Sequence, residues 1–374
     1  MNILFVATVY NHLAAFHKPF IKYFQEKGYT VHVAGSNSMG RKDELEQLGA
    51  ICHDISFDKS ILSKNNRRAL QELNELFDNI HFDLIHVHTP IAAFLVRFVL
   101  RKKKLQGPLL YTAHGFHFFK GAPKKNWFVF YNAEKIAKRW TDAIIVMNKE
   151  DLELSKKMGF ENNHNLFFVN GVGVDLNDFS ERAEKGGSIR TELNLSQDDV
   201  LISCVAELSY RKNQMFLLKN WDIINRNNPQ VHLLFIGEGQ DEGLLKSYVQ
   251  SQNLKNVHFL GFRRDMPKIL NDTNIVTLTS LHEGLPRCLM EAIALGKPII
   301  ATDVRGSRDL VQDGYNGYLV NLNDDDLLVK RFNDLIMNVK LQIDMGENGK
   351  KRSGLYDLDF VLKQMDEIYM NFLK

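Results

Sequence analysis

Two glutamates eight residues apart, Glu283 and Glu291, bracket a glycine and a proline in the run Ser280-Leu-His-Glu-Gly-Leu-Pro-Arg-Cys-Leu-Met-Glu291. The run follows an apolar, β-branched stretch, and Pro286 fits the first turn of a helix, where a missing N–H is tolerated. Gly284 lets the backbone approach a ligand closely. Free N–H groups at a helix start present partial positive charge to phosphate or sugar oxygens. Two separated carboxylates suit a ligand that offers hydroxyls at two places, such as a sugar and a ribose, through charge-assisted hydrogen bonds. Breaking the bond between an anomeric carbon and a nucleoside diphosphate leaves new negative charge on phosphate. A metal, or fixed cations and N–H groups, must stabilise it. Asp324-Asp325-Asp326 matches a DxD metal motif as a string, but it follows a strand and reads as a helix start, where acidic residues cap. Metal-independent chemistry is therefore expected, with no cofactor besides the substrate.

Histidines form a second group. His114 and His117 flank the aromatic run His-Gly-Phe-His-Phe-Phe119. His114, at a strand end and followed by Gly115, is expected to be functional; for His117 a functional and a structural role fit equally. His86 and His88 end another strand, and no spacing among these four supports a zinc site. His282 reads as a solvent-side neighbour of Glu283. Gly237-Glu-Gly239 and Gly261-Phe262-Arg263 end two further strands. Gly237 permits close backbone approach, and Phe262 or Arg263 offers a plane on which a base could stack. An ordinary turn fits each of these loops as well.

The elements that must position these residues follow from alternation. Short apolar runs recur at Ile3–Ala7, Thr30–Ala34, Leu84–His88, Leu109–Ala113, Ala143–Met147 and Leu166–Val169, separated by helical stretches such as Ala14–Lys27 and Arg67–Asn79. The pattern restarts at Leu201–Val205, His232–Ile236, His258–Leu260, Ile275–Leu278 and Pro298–Ala301, with a later strand at Gly317–Val320. Continuous apolar strands alternating with helices predict parallel sheets covered on both faces. The fold class is α/β, with two doubly wound, Rossmann-like domains. Their boundaries are expected at 1–172 and 173–356, with the glycines of Asn170-Gly-Val-Gly-Val-Asp175 as hinge. A C-terminal helix over 357–374, periodic from Leu358 to Leu373, is expected to pack back on the first domain. Ligands of such sheets bind at the carboxyl ends of the strands, which here would face a central cleft.

Composition bounds the rest. A chain of 374 residues, 44% hydrophobic and 25% charged, is an ordinary globular protein too long for one core. Residues 1–170 hold 23 basic and 16 acidic side chains, an excess of seven positive charges; the remainder holds 24 basic and 29 acidic, an excess of five negative. Basic and aromatic residues interleave at Arg101–Lys104 and from Lys120 to Trp140, a composition suited to an anionic membrane surface. Three scattered cysteines, Cys52, Cys204 and Cys288, argue against a disulfide framework. No signal peptide and no apolar run of membrane-spanning length stand out, so a cytoplasmic protein is expected. The first strand lacks GxGxxG, against a dinucleotide-dependent oxidoreductase, and nothing points to nucleic acid.

The whole run from Glu283 to Asp303 resembles the donor-site signature of the family 4 retaining glycosyltransferases, which have the two-domain GT-B fold. Asn170–Asp175 resembles that family's interdomain loop, His114-Gly115-Phe116 its active-site histidine, and Tyr315–Val320 its turn and strand after the donor helices. Within the family the chain is similar to enzymes that build bacterial capsular and extracellular polysaccharides. The resemblance implies that Glu291 meets the ribose hydroxyls. Glu283, with backbone from Gly284 through Leu285 to Pro286, would face the donor sugar, which His114 approaches from the first domain. Lys212 matches the family's lysine at the diphosphate. Glu207 departs from the pattern, since many relatives carry Arg there, and Arg211 is expected to supply the second cation. The implied reaction is metal-independent transfer, with retention, from a nucleotide sugar, UDP-linked, to a lipid-diphosphate-linked saccharide at the inner membrane face. A sugar-nucleotide epimerase or hydrolase on the same fold, or a non-catalytic scaffold of a polysaccharide assembly complex, is the alternative.

Overall fold

The computed structural model describes residues 1–60, 63–103, 106–185 and 187–373. The chain divides into two compact units, Met1–Val172 with Leu362–Lys374, and Gly173–Val361.

The first unit is built on a seven-stranded sheet of β1 (Asn2–Val9), β2 (Thr30–Ser36), β3 (Ile51–Asp54), β4 (Leu84–Val87), β5 (Leu109–Ala113), β6 (Ala143–Val146) and β7 (Leu166–Phe168), in the order β3-β2-β1-β4-β5-β6-β7. Every pairing is parallel. The central strands β4, β5 and β6 are buried along their whole length, as strands covered on both faces must be. β3 was not expected. As an edge strand pairing only with β2, it carries Ile51 at 46% exposure and a polar end, so it lacks the continuous apolar run of its neighbours.

The expected single helix Ala14–Lys27 is instead two, Tyr10–Phe16 and Lys18–Glu26, and the break falls at His17. Pro19 has no N–H to continue the ladder of the first helix and is suited to the opening turn of a new one. His17 is thereby turned inward and is 3% exposed. The helix Leu358–Phe372 ends the chain. Its Tyr369 hydroxyl lies 2.9 Å from His86 Nδ1, and its Asp366 accepts from Lys27 at 2.8 Å and from the Tyr23 hydroxyl.

Arg97, which interrupts the apolar helix Pro90–Leu100, is fully buried. Its guanidinium donates to both carboxylate oxygens of Glu134, at 2.7 and 3.0 Å, and lies 4.4 Å from the centre of the Tyr111 ring. Removing one member of a buried pair strands the other's charge. Arg97→Ala is expected to cost about 3–5 kcal/mol in urea unfolding, and Arg97→Lys, which cannot make the two-pronged contact, to recover only part of it.

The second unit carries a six-stranded sheet of β8 (Val200–Val205), β9 (Val231–Ile236), β10 (Val257–Phe259), β11 (Ile275–Leu278), β12 (Ile299–Thr302) and β13 (Gly317–Val320), ordered β10-β9-β8-β11-β12-β13. All its pairings are parallel as well. In both sheets the strand order reverses beside the first strand, between β1 and β4 and between β8 and β11. Those reversal points are where the loops at the carboxyl ends diverge and leave room for a ligand.

Candidate functional site

In the second unit the loops after β8 and β11, which flank the reversal point, are tied together. The β8 exit closes in a 3-10 turn, Tyr210–Lys212, followed by Asn213 in the left-handed region at φ 55°. Thr279 Oγ1 donates to the Asn213 carbonyl at 3.0 Å, and the Leu281 N–H donates to the Arg211 carbonyl at 2.8 Å.

This zipper brings Lys212 and Glu283 into contact, Nζ to Oε1 at 2.6 Å. The same carboxylate oxygen accepts from Ser280 Oγ at 2.6 Å, and Oε2 lies 3.4 Å from Arg211. Glu283 is 6% exposed. Burial alone would raise its pKa, but Lys212 and Arg211 outweigh that and hold it below the ordinary carboxylate range. The resemblance gave Glu283 to the sugar and Lys212 to the diphosphate; here the two are partners in one ion pair. Glu207 is exposed, and its carbonyl accepts from Gln214 Nε2 at 2.8 Å.

A third loop, after β12, braces the second, and sequence reasoning missed it. Thr302 Oγ1 donates to the Ser280 carbonyl at 2.6 Å, and Arg305, 4% exposed, donates through Nε to the Glu283 carbonyl at 2.8 Å. Gly306 has φ 80°, and a Cβ there would fall 2.4 Å from the Gly284 carbonyl oxygen. Thr302 lies within the recognised run, whereas Arg305 and Gly306 fall just beyond its end at Asp303, so the available signal was that Arg-Gly pair.

Pro286 is the residue before the helix Arg287–Ala294, in extended conformation, rather than part of its first turn. Leu285 packs on the core beside Leu289. Glu291 lies in the fifth helical position, 9% exposed, accepting from Arg287 Nε at 3.0 Å. Burial outweighs that cation and raises its pKa. Gly237 is required by packing: a Cβ there would fall 2.1 Å from the Ala206 carbonyl oxygen. Phe262 is 64% exposed. Arg263 is less suited to a base than its position suggested. Its guanidinium is held by Asp265 at 2.7 and 2.8 Å and by Glu192 at 2.6 and 3.0 Å. Asp324 caps the helix Asp325–Ile336 by accepting from the Leu327 N–H at 3.2 Å, and Asp325 accepts from Asn220 at 2.6 Å, so the acidic triplet is built into a helix start.

In the first unit five histidines meet around the reversal point between β1 and β4. His114, just beyond β5, lies with its ring centre 4.8 Å from that of His12, and its Nε2 is 3.5 Å from His88 Nδ1. The His17 and His88 rings are 3.8 Å apart at their centres, and those of His86 and His88 4.1 Å. Burial lowers the pKa of every one, to about 4 for His12 and about 3 for His86, so the rings are neutral at physiological pH. His12, His17 and His114 each bring one ring nitrogen within 4.8 Å of the others. His117 is exposed and packs on Phe130. Sequence reasoning singled out His114 but passed over His12 and His17, whose signal is Pro19 interrupting an otherwise regular helix.

The basic and aromatic stretch splits in two. Trp127, Phe130 and Tyr131 pack on the core, whereas Phe128 is 77% exposed beside exposed Val129 and Ile136. Arg101 stacks on Phe98, 3.4 Å from the ring centre, and Lys103 pairs with Asp78. Lys104 lies outside the described residues. Among the described residues no helix is long and apolar enough to cross a membrane.

A family profile described as glycosyl transferases group 1 matches residues 187–352, and one described as glycosyl transferase 4-like matches residues 2–148. The chain is 31% identical, over 100% of its own length and 97% of the relative's, to a Bacillus subtilis (strain 168) protein named putative glycosyltransferase EpsD. It is 28% identical, over 77% of its length and 75% of the relative's, to an Escherichia coli protein named UDP-Gal:alpha-D-GlcNAc-diphosphoundecaprenol alpha-1,3-galactosyltransferase. The crystal structure of Anabaena Alr3699/HepE in complex with UDP and glucose matches with a TM-score of 0.81 at 20% identity, covering 99% of this chain and 100% of that one, a likeness of fold. Two parallel-sheet units and that likeness define the GT-B fold. With a family profile on each unit and a relative aligned along its full length, the chain belongs to the group 1, family 4-type glycosyltransferases.

Proposed function

We propose that this glycosyltransferase moves a hexose, with retention and without a metal, from a UDP-sugar to a lipid-diphosphate-linked saccharide in bacterial surface polysaccharide synthesis. The observation that carries the reading is the cluster of Arg211, Lys212 and Glu283 at the reversal point of the second sheet. Two cations close to a helix start suit the charge that develops on a leaving diphosphate, which supports this reading. The E. coli relative, whose name specifies a UDP-sugar and a diphosphoundecaprenol acceptor, supports the choice of substrates.

In this reading the anomeric C–O bond to the diphosphate breaks while the acceptor oxygen bonds to the same face of the sugar. The acceptor proton passes to the departing phosphate oxygen. Glu283 is held by Lys212 and Ser280 and Glu291 by Arg287, so neither is poised as a covalent nucleophile. Glu291 is assigned to the ribose hydroxyls, and Gly284, Leu285 and Pro286 to the backbone face of the sugar. Gly237 and Phe262 are assigned to the base side, where Arg263, bound by two carboxylates, shapes the loop. Neutral His114 is assigned to a sugar hydroxyl. Exposed Phe128, Val129 and Ile136, with Lys124 and Lys125 close in sequence, are the proposed contact with the inner, anionic membrane face.

A thermal-shift panel of nucleotide sugars tests the donor, because a ligand that binds only the native state raises its stability. At about 100 times its Kd the true donor contributes roughly 2.7 kcal/mol. A shift with UDP-hexoses that is absent with GDP-, ADP- and dTDP-sugars is the expected result; a preference for another base overturns the UDP assignment. Product formation without an acceptor would instead favour the epimerase or hydrolase, and binding without turnover a scaffold.

A further inference from the structure

We propose that His12, His17 and His114 form a binding site for a divalent transition ion of the zinc class. Three observations carry this. One ring nitrogen from each histidine lies within 4.8 Å of the others, all inside the first unit. The Nε2 atoms of His12 and His17 are buried and have no hydrogen-bond partner. A buried imidazole nitrogen left unpaired is costly, at about 1–3 kcal/mol, and a metal ion satisfies it. Finally, the break before Pro19 sets His17 at the junction of the helices Tyr10–Phe16 and Lys18–Glu26, its ring centre 5.3 Å from that of His12 on the first.

The chemistry of the donor set selects the ion. Imidazole nitrogens without carboxylates suit zinc, copper, nickel or iron, whereas magnesium, calcium and manganese prefer oxygen ligands. Tetrahedral zinc with bonds of about 2.0–2.1 Å needs nitrogens roughly 3.4 Å apart, which small ring rotations supply from the present spacing. Three protein ligands leave a fourth position open for water. The rings are neutral because burial disfavours their charged form, so no proton need be displaced before an ion binds.

An ion held there withholds His114 from the sugar and so lowers transfer. This consequence rests on the role proposed for His114; the binding does not. The test uses the full chain, stripped with a chelator and titrated with Co²⁺. The visible bands of four-coordinate cobalt are expected to saturate at one ion per chain. Loss of an outer-shell partner costs about 10–100-fold in affinity, so His17→Ala should weaken binding at least about 100-fold. His12→Gln, at a less buried position than His17, should do the same with a melting temperature within a few degrees of the parent, which keeps the test valid if His17→Ala misfolds. His53→Ala, which removes the unrelated His32–His53 contact, should leave the titration unchanged. Absence of the bands, or equal binding by His12→Gln, overturns the site. Zn²⁺ should then inhibit transfer in step with occupancy. Saturated binding with undiminished transfer leaves the site standing and overturns the role of His114.

Discussion

Replacing Lys212 by Met is expected to lower transfer about a hundred- to a thousandfold and to destabilise the protein by about 3 kcal/mol. The two effects have different origins. Donors aimed at developing charge are worth about 10²–10³ in rate, and Lys212 is the less exposed of the two cations at the site. The stability loss comes from Glu283, which is 6% exposed and would keep only Arg211 at 3.4 Å and Ser280. Breaking one side of a buried ion pair costs about 3–5 kcal/mol, and the remaining contacts place this case near the lower end. A double variant separates the origins. Lys212→Met with Glu283→Gln leaves no buried charge, so stability should return to within about 1 kcal/mol of the parent, while transfer stays lost. Urea unfolding and a donor-turnover assay measure both. If Lys212→Met keeps transfer within tenfold of the parent while losing stability, Lys212 serves the fold alone and the diphosphate assignment fails.

The predictability of this site from sequence follows from where each residue draws its partners. β5 and β11 were read to the residue, because central strands of parallel sheets are apolar throughout and bounded by polar turns. β3 escaped because an edge strand need not be apolar on both faces. The contact between Lys212 and Glu283 was not legible. The two lie 71 positions apart, and only the pairing of β8 with β11 brings their loops together. The same holds for Arg305, which acts through a backbone carbonyl and leaves no pattern in the sequence. Arg263 failed in the opposite direction. Its place at a strand end suggested a base, but Glu192, also 71 positions away, claims its guanidinium. The fold was thus legible from periodicity, whereas the site depended on pairings between distant loops.

The five clustered histidines of the first unit, His12, His17, His86, His88 and His114, should make stability fall steeply with acid. Each is buried neutral, so its folded pKa lies below the unfolded value of about 6.5. Between those values the unfolded chain binds protons that the folded chain does not. Stability is therefore fully present above about pH 6.5 and declines as pH falls toward the folded values, about 4 for His12 and about 3 for His86. The slope is about 1.4 kcal/mol per histidine per pH unit. At pH 5.5 five such rings together cost at most about 7 kcal/mol relative to pH 7.5, the limit in which all stay neutral in the folded protein. Urea unfolding at the two pH values, with a chelator present, measures the difference. Hydrogen exchange in β4 and β5 assigns it to the first unit. A loss below about 2 kcal/mol would mean that the rings take up protons in the folded state. His114 would then be cationic at mildly acid pH, and the neutral hydrogen-bonding role assigned to it would have to be abandoned.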